Sequence, residues 1–267
     1  MTIKVKKMKK SLLSIAVASS LLASAANADF LGVEIGAAGW SPEMTGKFQY
    51  GSGTPTNMDL KDDLGFGDTE STNYMWLSFE HPVPIIPNAK IIQTSLELDA
   101  SKVDAVSFAG KNFTGTITTN MTLNQTDYIL YYEFSEGILI PFVHLDGGIA
   151  IKNLDGSIKL AGTVNGAADS SEKDFSVPVP MGYAKIKLST SVIPFLPDVE
   201  YETLRLSIGD NSFEDTKIGI VYNFELGVGF DAGLVAGIRK ENLEIDESSV
   251  KANIDIEGYY YGAYFNW

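Results

Sequence analysis

Gly258-Tyr259-Tyr260-Tyr261-Gly262-Ala263-Tyr264-Phe265-Asn266-Trp267 is the last stretch of the sequence. Every second residue counted back from the end gives Trp267, Phe265, Ala263, Tyr261 and Tyr259, which share one face. A β-strand requires a period of two, because successive side chains point to opposite sides. The same period recurs upstream. In Lys217–Leu226 (KIGIVYNFEL), Ile218, Ile220, Tyr222, Phe224 and Leu226 oppose Lys217, Gly219, Val221, Asn223 and Glu225. In Asn73–Glu80, Met75, Leu77 and Phe79 oppose Trp76, Ser78 and Glu80. In Lys90–Leu98, Ile92, Thr94, Leu96 and Leu98 oppose Ile91, Gln93, Ser95 and Glu97.

Ten such segments run near 30–40, 72–81, 89–100, 116–134, 138–152, 181–193, 198–209, 216–225, 228–239 and 252–267. They are rich in Tyr, Phe, Val, Ile and Thr, the residues that suit a pleated surface. The connections alternate in length. PVPIIPN at 82–88, SEG at 135–137, IPFLP at 193–197 and Leu226-Gly227 are short. The stretches 41–71, 101–115, 153–180, 210–215 and 240–251 are mostly longer and hold most of the Asp, Asn, Ser and Gly clusters. An up-and-down antiparallel sheet puts alternate connections at opposite ends, so short turns gather at one end and polar loops at the other. The expected fold is all-β: an antiparallel up-and-down transmembrane β-barrel of 10 strands. Eight and twelve are the neighbouring counts, because 41–71 and 153–180 could each hide a hairpin or lose one.

Composition narrows the function. The chain has 267 residues and a net charge of −14. Its first 28 residues carry five lysines and no acid, so the remaining 239 carry −19. Such a surface repels phosphate backbones, and no nucleic-acid partner is expected. The absence of cysteine excludes disulfides, thiolate metal sites and a Cys nucleophile. The two histidines, His81 and His144, are far apart, so neither a metal site nor a cofactor is expected.

The N-terminus has the form of a secretory signal. Lys4, Lys6, Lys7, Lys9 and Lys10 precede the uncharged apolar run Ser11–Ala25. Ala26-Asn27-Ala28 then offers small residues where a signal peptidase reads them. Residues 1–28 are expected to be a cleaved signal peptide and residues 29–267 a single barrel domain.

Taken with that signal and the strand layout, the C-terminal pattern resembles that of Gram-negative bacterial outer-membrane β-barrel proteins, and most of all the small, poorly characterised ones. The resemblance implies that Tyr259, Tyr261, Ala263, Phe265 and Trp267 form the signal read by the barrel-assembly machinery. It implies an outer-membrane location, with membrane lipid and lipopolysaccharide as neighbours. A closed barrel is one of the two structures that satisfy every backbone N–H and C=O within hydrocarbon. The expected girdle and lipid-facing aromatics include Trp76, Phe79, Tyr128, Tyr132, Phe134, Tyr222 and Phe224.

If the apolar face meets lipid, the other face lines the lumen. That reading places Glu80, Glu97, Asp127, Glu133, His144, Asp146, Arg205, Lys217, Glu225, Asp231 and Arg239 inside. A barrel this small is narrow, so opposite charges pair across it and plug it. A narrow channel for ions or small solutes is the second reading, and an outer-membrane enzyme the third. His144 and Asp146 share a strand face, but they lie near the short-turn end, away from the loops where a surface active site would sit. The densest acidic runs, Asp59–Asp63 (DLKDD) and Glu241–Glu247 (ENLEIDE), read as solvated surface loops. The expectation is a non-enzymatic barrel with acidic surface loops and a largely plugged lumen.

Overall fold

The computed structural model describes residues 31–50, 56–66, 71–83, 85–134, 142–190, 196–227, 229–247 and 250–267. The signal segment 1–28 and the Ser135-Glu136-Gly137 turn lie outside them. Among the described residues there are eleven strands: β1 (Gly32–Tyr50), β2 (Thr56–Asp59), β3 (Thr72–Glu80), β4 (Asn88–Phe108), β5 (Lys111–Glu133), β6 (Val143–Val164), β7 (Ala167–Leu188), β8 (Asp198–Ile208), β9 (Asn211–Gly227), β10 (Phe230–Glu247) and β11 (Val250–Asn266).

Every pairing is antiparallel, and apart from β2, neighbours in sequence are neighbours in the sheet. The ring runs from β1 through β3 to β11 and closes where β11 pairs with β1, in unbroken register from Glu34↔Asn266 to Tyr50↔Val250. Val33 and Trp267 exchange backbone hydrogen bonds of 2.9 and 3.1 Å, so both ends of the wall meet at one rim. The short β2 pairs only with the far end of β1, Lys47–Tyr50.

The outer face has a belt. Near the terminal rim it carries Met75, Leu77 and Phe79 on β3, Ile91 on β4, and Tyr128, Leu130 and Tyr132 on β5. Ile149 and Ile151, Ile186 and Leu188, Ile218 and Ile220, Leu234 and Ile238, and Tyr259, Tyr261 and Phe265 continue it around the ring. These large apolar side chains are exposed; Ile149 is 67% and Tyr259 73% accessible. A water-soluble protein does not expose an apolar patch that encircles it. Along β11 the belt spans Tyr259 to Trp267, about 20 Å of height for a strand tilted by about 40°. That matches the apolar band of a transmembrane barrel. Trp76 does not belong to it: its ring faces inward, 9% exposed, and its Nε1–H donates to Glu34 Oε1 at 2.6 Å.

Above the belt the strands continue, and this corrects the expected loops. Residues 41–50, 101–108, 111–115, 153–164, 167–180, 211–215 and 240–247 are all strand. There the outer face is polar: Gln93, Ser95, Glu97 and Asp99 on β4, and Asn120, Thr122 and Asn124 on β5. The inner face of the same strands is apolar and buried, with Leu96, Leu98, Leu123, Ile117 and Phe113 at 8% exposure or less. Thr, Asn, Asp and Ser at alternate positions resemble loop composition, but here they are the wet face of a wall. The ENLEIDE run is one such stretch: Glu241 is buried inside while Glu244 and Asp246 face out. The Asp59–Asp63 run also has a structural task. Asp59 Oδ1 accepts the N–H groups of Lys61 and Asp62, and Asp63 Oδ2 accepts that of Asp59. The resulting turn seats Leu60, Leu64 and Phe66 in the core, at 3%, 0% and 4% exposure.

Among the described residues, the far ends of β4 and β5 and of β6 and β7 are joined by tight turns rather than long loops. Asn165-Gly166 has φ of 51° and 85°, and Ala109-Gly110 has 51° and 80°. Both fit the type I′ hairpin turn, which demands positive φ at each central residue. Asn and Gly adopt that conformation, which Ala109 holds here, at lower cost than alanine. Ala109→Asn should therefore stabilise the folded barrel by about 0.5–1 kcal/mol, read as a higher urea midpoint for loss of the folded gel band. No change, or a lower midpoint, would contradict the turn assignment.

Candidate functional site

The interior is layered. Nearest the terminal rim it is polar and incompletely filled. Glu202, 3% exposed, takes Lys90 Nζ at 2.5 Å on one oxygen and Lys217 Nζ at 2.7 Å on the other, with the Tyr183 hydroxyl donating at 3.0 Å. Lys185 pairs with Glu200 at 3.1 Å and Lys187 with Asp198 at 3.3 Å. The Tyr131 hydroxyl donates to Glu80 Oε1 at 2.8 Å, and Asn88 Nδ2 to Glu133 Oε1 at 3.1 Å. A cavity of about 60 Å³ remains among Glu34, Tyr74, Lys185, Glu200 and Tyr260, room for a few waters only.

One level further in, the lumen is bridged by fully buried charges. Lys152 Nζ lies 2.9 Å from Asp127 Oδ1 and 2.9 Å from Asp215 Oδ2, and donates to Gln125 Oε1 at 2.8 Å. Arg239 donates through Nε and Nη2 to both oxygens of Asp215, at 3.0 and 2.8 Å, and through Nη1 to Thr94 Oγ1 at 3.0 Å. Its Nη2 is also 2.8 Å from Glu241 Oε1, while Gln125 Nε2 donates to Glu241 Oε2 at 2.7 Å. The guanidinium carbon sits 4.6 Å from the Trp40 ring centre and 5.2 Å from that of Tyr74. The bidentate fork is the geometry that compensates best for burying a guanidinium. Thr94, Gln125, Asp127, Lys152, Asp215, Arg239, Glu241, Trp40 and Tyr74 come from seven strands, so the network ties the wall across its middle. Beyond it the lumen is filled by the apolar core of Met44, Met58, Leu64, Phe66, Leu96, Leu123 and Phe213.

The residues expected in the lumen divide accordingly. Asp127, Lys217 and Arg239 are buried in the two polar layers. Glu80, Glu133 and Asp146 face inward near the rim. His144, Glu225 and Asp231 share the inward parity but are exposed at the rim itself. Glu97 and Arg205 are corrections: both are exposed on the outer face, while their neighbours Leu96, Leu98 and Leu204 are buried. Both lie above the belt, where the outer solvent is water and apolar residues turn inward. His81 Nδ1 accepts the Val83 N–H in the β3–β4 turn, and its Nε2 lies 3.3 Å from the Pro87 carbonyl oxygen, so both ring nitrogens face turn backbone.

Sequence reasoning missed Lys90, Gln125, Lys152, Glu202, Asp215 and Glu241. Glu241 and Asp215 had been read as loop residues, although each shares strand parity with a residue correctly placed inside, Arg239 and Lys217. Lys90 and Glu202 fell on faces read as lipid-facing because of the leucines that follow them.

No protein-family model matches this chain, and no curated protein does. Among solved structures it is similar to the outer membrane protease OmpT from Escherichia coli, at 7% identity over 90% of this chain and 97% of that one, with a TM-score of 0.49. It is similar to the translocator domain of the autotransporter NalP from Neisseria meningitidis, at 12% identity, 95% and 97% coverage and a TM-score of 0.39. It is also similar to Ail, the attachment invasion locus protein of Yersinia pestis, at 9% identity, 88% and 99% coverage and a TM-score of 0.34. The chain is a transmembrane β-barrel. The apolar belt and closed ladder carry that assignment.

The buried network holds two cations, Lys152 and Arg239, against three carboxyl groups, Asp127, Asp215 and Glu241. Removing a buried cation leaves charge uncompensated, which costs about 3–5 kcal/mol. Arg239→Met should lower unfolding stability by about that much in a urea titration. Glu241→Gln equalises the charges and keeps the shape, so it should change stability by less than about 1 kcal/mol. A larger loss from Glu241→Gln than from Arg239→Met would contradict this account of the network.

Proposed function

We propose that this protein is a non-conducting, non-enzymatic barrel of the Gram-negative outer membrane that acts through the wall it raises above the bilayer. The single observation that carries the reading is the pair of stacked seals. Arg239 and Lys152 are both 0% exposed in a network that spans the lumen, and an apolar core lies directly beyond it. Ions need a continuous water path, and a packed apolar layer has none.

Several features support the location. The belt suits lipid, and lipopolysaccharide would be its neighbour in the outer leaflet. Tyr259, Tyr261, Ala263, Phe265 and Trp267 line the outer face of β11 in the alternating order that assembly machinery would read. Export would use residues 1–28 as a cleaved signal peptide. Against enzymatic activity, His81 and His144 both lie at the terminal rim, the periplasmic side in this orientation, and the other end presents neither.

The test is single-channel recording on the folded protein in a planar bilayer, after the gel shift of unboiled sample confirms folding. The expected result is an inserted barrel with no unitary steps at moderate voltage. Reproducible steps of one size would overturn the sealed lumen and establish the narrow channel in its place.

A further inference from the structure

One side of β7 has no described strand beside it for most of its height. β7 pairs with β6 along its whole length, from Val164↔Ala167 to Val143↔Leu188. With β8 it pairs only from Gly182 to Leu188. The segment Ala167–Met181 therefore presents a free edge; its lower end is level with the belt, since Pro180 pairs with the belt residue Ile151, and the rest stands above it. Across the gap the end of β8, Leu206–Ile208, is likewise unpaired on this side, and Ile208 is 63% exposed. The wall of the raised barrel has a lateral notch.

The notch has a sequence cause. Pro178 and Pro180 sit just above the last β7–β8 pair, and proline cannot donate to a ladder. The β6 ladder runs through both without a break, pairing them with Asn153 and Ile151. Their donorless nitrogens must therefore face the notch. Backbone direction alternates along a strand, so the N–H and C=O groups of Ala168, Ser170, Glu172, Asp174 and Ser176 face it too. The Ser170 N–H bears this out, since the Asp169 side chain takes it at 2.7 Å in place of a strand partner; the Ser170 carbonyl accepts from Lys111 Nζ at 3.1 Å, so the groups open to a new strand are those from Glu172 to Ser176.

We infer that this edge binds an extended peptide segment that adds as a strand to β7 and alternates apolar with basic residues. Strand addition to an open edge supplies main-chain hydrogen bonds for affinity and alternate side-chain positions for specificity. Both kinds of position are defined here. On the inner side the segment would meet Phe175 and Val177, 37% and 47% exposed, and Ile208 opposite. On the outer side it would meet Asp174, and Glu172 where its 3.8 Å pairing with Lys159 gives way. A second copy in the same membrane does not fit. Two upright copies run β7 in the same sense, which forbids an antiparallel ladder, and the like acidic faces repel. The prolines guard only the lower end of the edge, which is the part nearest lipid.

This inference uses the proposed membrane reading only to place the edge above its lower end in water. Flotation of the folded protein with liposomes tests that reading separately, and its failure would leave the peptide measurement intact. The probe is a fluorescein-labelled eight-residue peptide of alternating lysine and valine, titrated with detergent-folded full-length protein and read by anisotropy. The control peptide has the same sequence with alternate amides N-methylated, which keeps charge and apolarity but removes ladder donors. Saturable binding is expected, weakened about ten-fold or more by N-methylation. Ser176→Pro removes one edge donor and spares the β6 ladder, and Asp174→Lys reverses one outer charge. Each should weaken binding several-fold while the folded gel band is retained. Equal binding of the two peptides, or wild-type affinity in Ser176→Pro, would overturn strand addition. Absence of saturable binding would overturn the site.

Discussion

The ladder between β1 and β11 is the constraint on which the rest of the structure depends. A sheet of this length left open would present two rows of unpaired backbone groups, and in hydrocarbon each unpaired group costs several kcal/mol. Register Glu34↔Asn266 through Tyr50↔Val250 removes both rows at once. Close approach sets the residue choice along this seam. A Cβ on Gly262 would lie 2.3 Å from the Ala37 carbonyl oxygen, and one on Gly258 2.0 Å from that of Ser41. Once the ring is closed, every strand has a defined inside and outside, and side-chain chemistry can be assigned to each.

What the chain does with those two faces changes with height. In the belt the outside is apolar and the inside is charged. Above it the outside is polar and the inside is apolar, as in a water-soluble barrel. The same β4 strand shows both regimes: Ile91 out and Lys90 in near the rim, then Glu97 out and Leu96 in further up. The Arg239–Asp215–Lys152 network lies at the junction. It separates a polar layer from an apolar one, and its charges come from β5, β6, β9 and β10. A lumen built this way is a structural core in two parts, and the accessible chemistry of the protein moves to the outer wall and its edges.

This reversal also explains what the sequence disclosed. Period-two alternation located strand after strand, because it survives whichever face is apolar. The C-terminal aromatics and the closing terminal strand were legible, but the connection lengths were not: the terminal-rim connections 81–87, 134–142 and 189–197 are longer than the far-end turns 109–110, 165–166 and 209–210, because polar stretches read as loops are strand. Nor were the strand ends legible, since Thr118, Asn120, Thr122 and Asn124 have loop-like composition and only their buried partners Ile117, Thr119, Leu123 and Gln125 mark them as strand. Lumen residues were read by one rule, that the apolar face meets lipid. The rule succeeded for Lys217, Arg239 and Asp127 at belt height and failed for Glu97 and Arg205 above it. Height in the membrane is a property of the assembled ring, set by how neighbouring strands stagger, and a single strand does not carry it. The β7 notch was legible in part: Pro178 and Pro180 are visible in the sequence, but the shortness of β8 opposite them is a tertiary fact.

The absence of native cysteine allows that height to be measured directly with single engineered thiols. Ile91→Cys and Glu97→Cys place a label on the same outer face of β4, below and above the inferred boundary. The measurement is paramagnetic accessibility in folded, bilayer-inserted protein, with oxygen as the lipid-soluble agent and a nickel chelate as the water-soluble one. The account predicts that the label at 91 responds chiefly to oxygen and the label at 97 chiefly to nickel. Matching responses at the two positions, both lipid-like or both water-like, would contradict a wall that crosses the membrane in its lower part and stands in water above it.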